Sequence, residues 1–273
     1  MAMAKRYRRL ASAIGEADSL ASFLALVDQW VSKTSNTDSE IRLFRGQENY
    51  EWRLMPGIGR PQYEKRLTKN TESRMLAEFK QRGIPYLESG PQLDDADWLA
   101  IAQHHAMPTR LLDWTGSALA ALWFSIKRPA GIGRNGEKAS AAVWMLAASE
   151  SDFIDDYGRA APLSITSTQL LKPRHVSRRI TAQDGWFSIH PFEDFGVGPY
   201  YEALDASQNF KQRLAYIRVP ARAFGPIRAQ LQLAGINRGV LFPDLDGVAG
   251  RITDTFLYPE DQEPSVLEDS LGV

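Results

Sequence analysis

The chain has 273 residues, 44% of them hydrophobic and 24% charged, with a formal net charge of −1 and no cysteine. That balance excludes disorder as the main state, gives no global electrostatic reason to bind nucleic acid or membrane, and makes disulfides and thiolate metal sites impossible. No apolar run approaches the roughly 20 residues that span a bilayer, and the basic start, Met1 to Arg9, has no apolar segment behind it; a soluble, cytoplasmic protein without membrane contact is expected.

From Ser19 to Val31, the residues Leu20, Phe23, Leu24, Val27, Trp30 and Val31 repeat at helical spacing, with Ser19 placed as an N-cap. Ile41 to Arg45 alternates and predicts a strand that breaks at Gly46. Thr71 to Arg82, with Met75, Leu76 and Phe79 on one face, predicts a second helix. Asp94 to Gln103 predicts a third, and the apolar Gly116 to Lys127 a fourth, buried one. Ala141 to Ala147 reads as a central strand, Ile180 to Ile189 and Leu214 to Val219 as two more. Ala221 to Leu233 predicts a helix closed by Gly235 at C′. Gly239 to Phe242 is expected as a short strand, Pro243 to Gly247 as a turn or cap, and the acidic stretch 260–273 as a disordered tail. There is no repeat and no linker rich in Gly, Ser or Pro. The expected architecture is one α+β domain over 41–259, a mixed or antiparallel sheet flanked by helices, preceded by a basic arm and an N-terminal helix over 1–40.

The densest polar chemistry lies in Gln103 to Thr115, which holds two of the four histidines beside an arginine, an aspartate and two threonines, and runs straight into the apolar helix. Polar groups so close to a core element must pair with each other or with a ligand. His104 and His105 are adjacent and so point apart, and no helical H-E-x-x-H spacing is present, so no metal is expected. One histidine is expected to hold backbone and the other to face a pocket. Pro108 pushes Met107 into an extended conformation, Arg110 and Asp113 are spaced to pair within a turn, and Thr115 or Ser117 is placed to cap the next helix. Asp113 and Trp114 read as structural; His104, His105 and Arg110 stay open between structure and site.

Two further clusters stand out. Arg45 closes a strand before Gly46, where its fork of donors could hold a phosphate or a carboxamide, or merely sit on an edge. Trp52, Leu54, Pro56 and Arg60 follow as an aromatic-anchored loop. On an extended segment Arg179, Thr181 and Gln183 would share one face, beside the basic set Lys172, Arg174, His175, Arg178 and Arg179, which could meet phosphates or solvent. Gly131 to Gly136 matches G-x-G-x-x-G, but a helix precedes it and a strand follows, the reverse of a dinucleotide-binding turn, so it reads as a surface loop.

These blocks carry a resemblance. Phe44-Arg45-Gly46-Gln47 with Trp52, Leu54, Pro56 and Arg60 resembles the opening of the FRG domain. Gln103 to Thr115 is similar to its second block, Arg179 to Phe187 to its third, and Gly235-Ile236 with Leu241 to Gly247 to its last. The family usually has glycine where this chain has Ala106. The block order is in turn similar to that of ADP-ribosyltransferase folds, which implies an ADP-ribosyltransferase-like core and NAD as substrate without a metal. On that resemblance Arg45, His104, His105 and Gln183 are the catalytic set, Gln183 standing where a glutamate is usual. Arg45, Gln47, Thr109, Arg110 and Arg179 would bind the dinucleotide. The implied protein is a toxin-like or phage-defence effector that transfers ADP-ribose to nucleic acid or protein and answers to a regulatory or antitoxin partner. The rival reading, favoured by the missing carboxylate at position 183, is a non-catalytic module that recognises a nucleotide, RNA or a partner. The two share one requirement: Arg45, a histidine and Gln183 must meet in one cleft.

Overall fold

Every residue of the strand Ala141–Ala148 is buried, and that single fact organises the molecule: a strand that is apolar at both parities must be covered on both faces. The computed structural model describes residues 11–34, 41–86, 93–174, 181–194 and 199–257; the expected basic arm and acidic tail fall outside them. Strands β1 (Ser12–Glu16), β2 (Ile41–Gln47), β3 (Leu111–Thr115), β4 (Ala141–Ala148), β5 (Gln169–Leu171), β6 (Gly185–Ile189) and β9 (Leu214–Val219) form a seven-stranded sheet in the order β1-β9-β4-β2-β3-β6-β5, while β7 (Glu193–Asp194) and β8 (Pro199–Tyr200) form a separate ribbon. Only β1 and β9 run parallel; the other neighbours in the large sheet are antiparallel.

One face of the sheet buries Ala141, Val143, Met145 and Ala147 against helices α1 (Leu20–Thr34), α4 (Ala118–Ile126) and α6 (Phe224–Leu233), through Phe23, Trp30, Leu122, Ile227 and Leu231. The opposite face of β4, Ala142, Trp144, Leu146 and Ala148, packs with Leu43, Leu54, Leu112, Trp114, Leu204 and Phe210. Helices α2 (Thr71–Gly83) and α3 (Asp95–His104) cover the β3-β6-β5 end through Leu76, Leu99 and Ala100 against Leu111, Phe187 and Ile189. The short α5 (Asp156–Ala160) lies beside them, and α7 (Arg238–Leu241) and α8 (Leu245–Leu257) end the described chain.

The expected α+β class, the helices near 20–31, 71–82, 94–103 and 116–127, and the strand at 214–219 are all present. Caps fix several ends: Asp94 forms a capping box with Asp97, the Ser117 hydroxyl accepts from the Ala120 amide, and Gly235 at φ +80° closes α6. Four expectations fail. The strand expected to stop at Gly46 runs through it to Gln47. Leu111–Thr115 is a strand, not a turn, because β6 supplies a full antiparallel partner. The strand expected from Ile180 begins only at Gly185: Thr181 and Ala182 are helical, and Gln183 and Asp184 make a turn. Gly239–Phe242 is not a strand either, since Asn237 caps a helical turn there through the Val240 amide. β1 was not foreseen; its pairing with β9 ties the N-terminal segment into the common sheet.

Candidate functional site

The site begins with Gly46. A β-carbon there would lie 2.0 Å from the Ala121 carbonyl oxygen and 2.6 Å from the Ser125 amide nitrogen, so glycine lets the α4 backbone rest directly on β2. Its neighbours Arg45 and Gln47 project to the other side of the strand. There β2 and β3 share one registered pair, Phe44 opposite Thr115. Beyond it the Arg45 side chain bridges the strands, Nη1 donating to the Asp113 carbonyl oxygen at 2.7 Å and lying 3.4 Å from the Asp113 carboxylate.

A cleft of about 570 Å³ opens at this junction. Arg45, Arg60, Lys127 and Arg128 line it, as do Glu48 and Asp113; Trp52, Phe124 and Phe242 give it aromatic walls, and His104 and Gln183 complete it. Burial pulls the Arg45 guanidinium below its ordinary value, Asp113 raises it, and Arg60 lowers it. Lys127 is lowered by burial first; Glu48, 3.8 Å away, raises it, and Arg128, Arg238 and Arg45 lower it again. The Arg45 Nε–H is buried with no acceptor among the described residues. Cationic charge in the cleft is thus under-compensated, the condition that favours an anionic guest.

The sequence-derived candidates divide sharply. Arg45, Gln47, His104 and Gln183 all line this cleft. Gln47 is already committed, its Oε1 accepting from Trp144 Nε1 at 2.7 Å and its Nε2 donating to the Arg53 carbonyl at 3.0 Å. Gln183 donates Nε2 to the Leu241 carbonyl at 2.9 Å, which leaves its Oε1 as the end that can meet a ligand. His105 is exposed at the end of α3 and does not line the cleft, so no backbone-holding role is assigned to it. Thr109 is fully buried: its hydroxyl donates to Gln103 Oε1 at 2.8 Å and accepts from the Leu111 amide, which makes it a turn-former. Arg179, His175 and Arg178 lie outside the described residues; of the remaining basic set, Lys172 stacks on Trp186, and Arg174 pairs with Asp94 and Asp97.

Arg110 is structural. It does not pair with Asp113; its Nε donates to Glu72 Oε2 at 2.8 Å, its amide to Glu72 Oε1 at 2.7 Å, and Tyr201 Oη reaches the same carboxylate at 3.2 Å. Both charged side chains are 4% exposed. The two residues of a strand start and a helix start, far apart in sequence, therefore satisfy each other's desolvation. Burial, chiefly, then the Glu72 charge push the Tyr201 phenol well above its ordinary range, so it stays a donor. Asp113, read as structural, instead faces the cleft with its side chain 57% exposed.

A second buried network was not foreseen. His190 is fully buried, and its Nδ1 lies 3.0 Å from the Glu202 carbonyl oxygen, which can only accept; Nδ1 therefore carries the proton. Its Nε2 accepts from the Ser188 hydroxyl, and that oxygen accepts from Trp114 Nε1 at 3.1 Å. Burial, above all, lowers this imidazole to about 4, so it is neutral at pH 7. The signal in the sequence was slight: Ser188 and His190 share one parity beyond the strand that faces Trp114.

Gly131 to Gly136 lies between α4 and β4, with a bridge from Ile132 to Lys138, and makes no helix N-terminus. Among the described residues no cluster of His, Asp and Glu could hold a metal ion, and no helix is long and apolar enough to cross a membrane.

An α+β domain with a cationic cleft at a splayed strand pair is the class of protein these features define. Residues 40–131 match the family model of the FRG domain. The matched segment contains β2, α3, β3 and α4 and therefore most of the cleft wall. No curated protein matches the chain, and no solved structure does.

Proposed function

We propose that the cleft binds a phosphate-bearing nucleotide of the class to which NAD belongs. The observation that carries this reading is the convergence of Arg45, Arg60, Lys127 and Arg128 on one cavity against the two carboxylates of Glu48 and Asp113, in a chain whose overall charge is −1. A diphosphate would accept from the Arg45 guanidinium and offset the crowding of cations around Lys127, while Trp52, Phe124 or Phe242 offers a face to a base. Calorimetry with ADP and with NAD tests it. Binding is expected, and Arg45→Gln should weaken it about 10- to 100-fold, the range for a lost charge-assisted hydrogen bond. No heat with either nucleotide at millimolar concentration would refute the reading.

A second, stronger reading is favoured by one further observation: His104 and Gln183 line the same cavity as Arg45. It is the NAD-using ADP-ribosyltransferase-like effector, with that core built on this sheet. The bond between nicotinamide and ribose breaks, its electron pair leaves with neutral nicotinamide, and the resulting oxocarbenium ion is captured by a nucleophile on nucleic acid or protein. His104 is placed to take the nucleophile's proton. Gln183 Oε1 would accept from a ribose hydroxyl without adding charge, and Glu48 and Asp113 are the carboxylates lining the cavity in which the cation would develop. Release of nicotinamide from NAD, followed by chromatography, tests this step: Gln183→Glu should raise the rate and Arg45→Gln abolish it. NAD that binds but stays intact would leave the first reading standing and refute the second.

A further inference from the structure

A second cavity, of about 740 Å³, adjoins the cleft and shares Gln47, Trp52 and Arg60 with it as lining. We infer that the two cavities form one groove for single-stranded nucleic acid, with one nucleotide in the cleft and the strand continuing past Trp52 into the second lobe. This rests on the nucleotide reading of the cleft and extends it to a polymer.

The chemistry of the second lobe points to bases and phosphates together. Trp52 is 53% exposed and stands at the boundary between the lobes, and Tyr200, 40% exposed, lies in the outer one. Two solvent-facing aromatic rings along one groove provide stacking platforms, which every base can use whatever its sequence. Between and around them Arg53, Arg60 and Arg134 outnumber the carboxylates Glu51 and Glu64. Arg60 sits on the shared wall, where a phosphate linking the two nucleotides would pass. Arg134 is 84% exposed and lies 3.8 Å from Glu51, an ion pair weak enough to yield to a phosphate. The loop that brings it there is the Gly131–Gly136 segment, whose glycines make no dinucleotide turn.

Fluorescence anisotropy with labelled oligothymidylate and oligouridylate of about eight nucleotides, within the usual site sizes of such grooves, tests the inference at low salt. Binding of either is expected, its affinity falling steeply with salt, and the ratio of the two identifies the preferred polymer. Tyr200→Ala should weaken binding about five- to a hundredfold, and Arg134→Glu should weaken it and flatten the salt dependence. Neither variant should change ADP affinity in calorimetry, since neither side chain lines the cleft, and both should melt as the wild type does. Absence of single-strand binding at about 100 μM protein, equal binding of duplex, or unchanged affinity in both variants would overturn the inference. Absence of heat with both ADP and NAD for the wild-type chain is a separate result and refutes the cleft reading instead.

Discussion

Arg110 is the residue whose role the tertiary structure reassigns most completely, and its removal offers the sharpest test. Arg110→Met strips the countercharge from Glu72, which is buried to the same 4% exposure. An ion left unpaired at that depth costs about 3–5 kcal/mol, and solvent screening offers no relief where neither partner reaches water. Glu72→Gln should cost a similar amount, since it leaves the guanidinium without its anion and sets an amide N–H2 against the Arg110 Nε–H and the Tyr201 hydroxyl. The glutamine still keeps one oxygen for the Arg110 amide. Combining the two changes removes both charges at once, so the double variant should be more stable than the sum of the singles by about 2 kcal/mol or more, within the range seen for residues in one network. Urea unfolding at 25 °C across the four proteins of the cycle reads this directly. Additivity within about 0.5 kcal/mol would refute the buried-pair account. So would an Arg110→Met protein of wild-type stability that no longer binds nucleotide, for that result would return Arg110 to the cleft.

Gly46→Ala should cost about 3 kcal/mol or more by urea midpoint, because the new carbon meets the α4 backbone at 2.0 Å and 2.6 Å and neither atom can swing away. Ala106→Gly should stabilise by about 0.5–1 kcal/mol: Ala106 sits at φ +62°, where a β-carbon costs about 1–2 kcal/mol and glycine's extra freedom in the unfolded chain returns part of it; a loss of stability would show that the helix end does not depend on that conformation. His190 makes stability pH-dependent. Its folded value near 4 lies below the ordinary 6.5, so the unfolded chain binds the extra proton between them, and stability should fall as pH drops from about 6.5 to 4, by on the order of 3 kcal/mol in all. His190→Gln should flatten that slope in urea titrations at stepped pH, and an unchanged slope would assign the effect to other groups.

The family glycine missing at position 106 shows how far local reading reaches. Ala106 follows the end of α3, with its amide donating to the Gln103 carbonyl and that of Met107 to Ala102, a geometry glycine suits best. A departure visible in the sequence thus falls where the backbone is strained. Periodicity exposed α1 and α2 because each buries one stripe, an apolar run exposed α4, and caps such as Asp94 and Ser117 act within one turn of chain. Arg45, His104 and Gln183 line one cleft, the placement both readings of the site shared as a condition. Arg110 went astray for the opposite reason. Asp113 stands three positions away, but successive strand residues point to opposite faces, so an aspartate on the exposed face of β3 was out of reach.

By itself, the amino-acid sequence determined the α+β class, the helices that carry their own amphipathic stripe and caps, the central strand apolar at both parities, and the family of its Arg45-Gly46 and His104-His105 blocks. Those features depend on residues a few positions apart. The tertiary structure alone decided that Leu111–Thr115 is a strand, that Glu72 neutralises Arg110, that His190 closes a buried network under Trp114, and that Lys127 and Phe242 join the cleft. A strand needs a partner ladder and a buried charge needs a counterion, and both are supplied through space by segments whose approach no local pattern encodes.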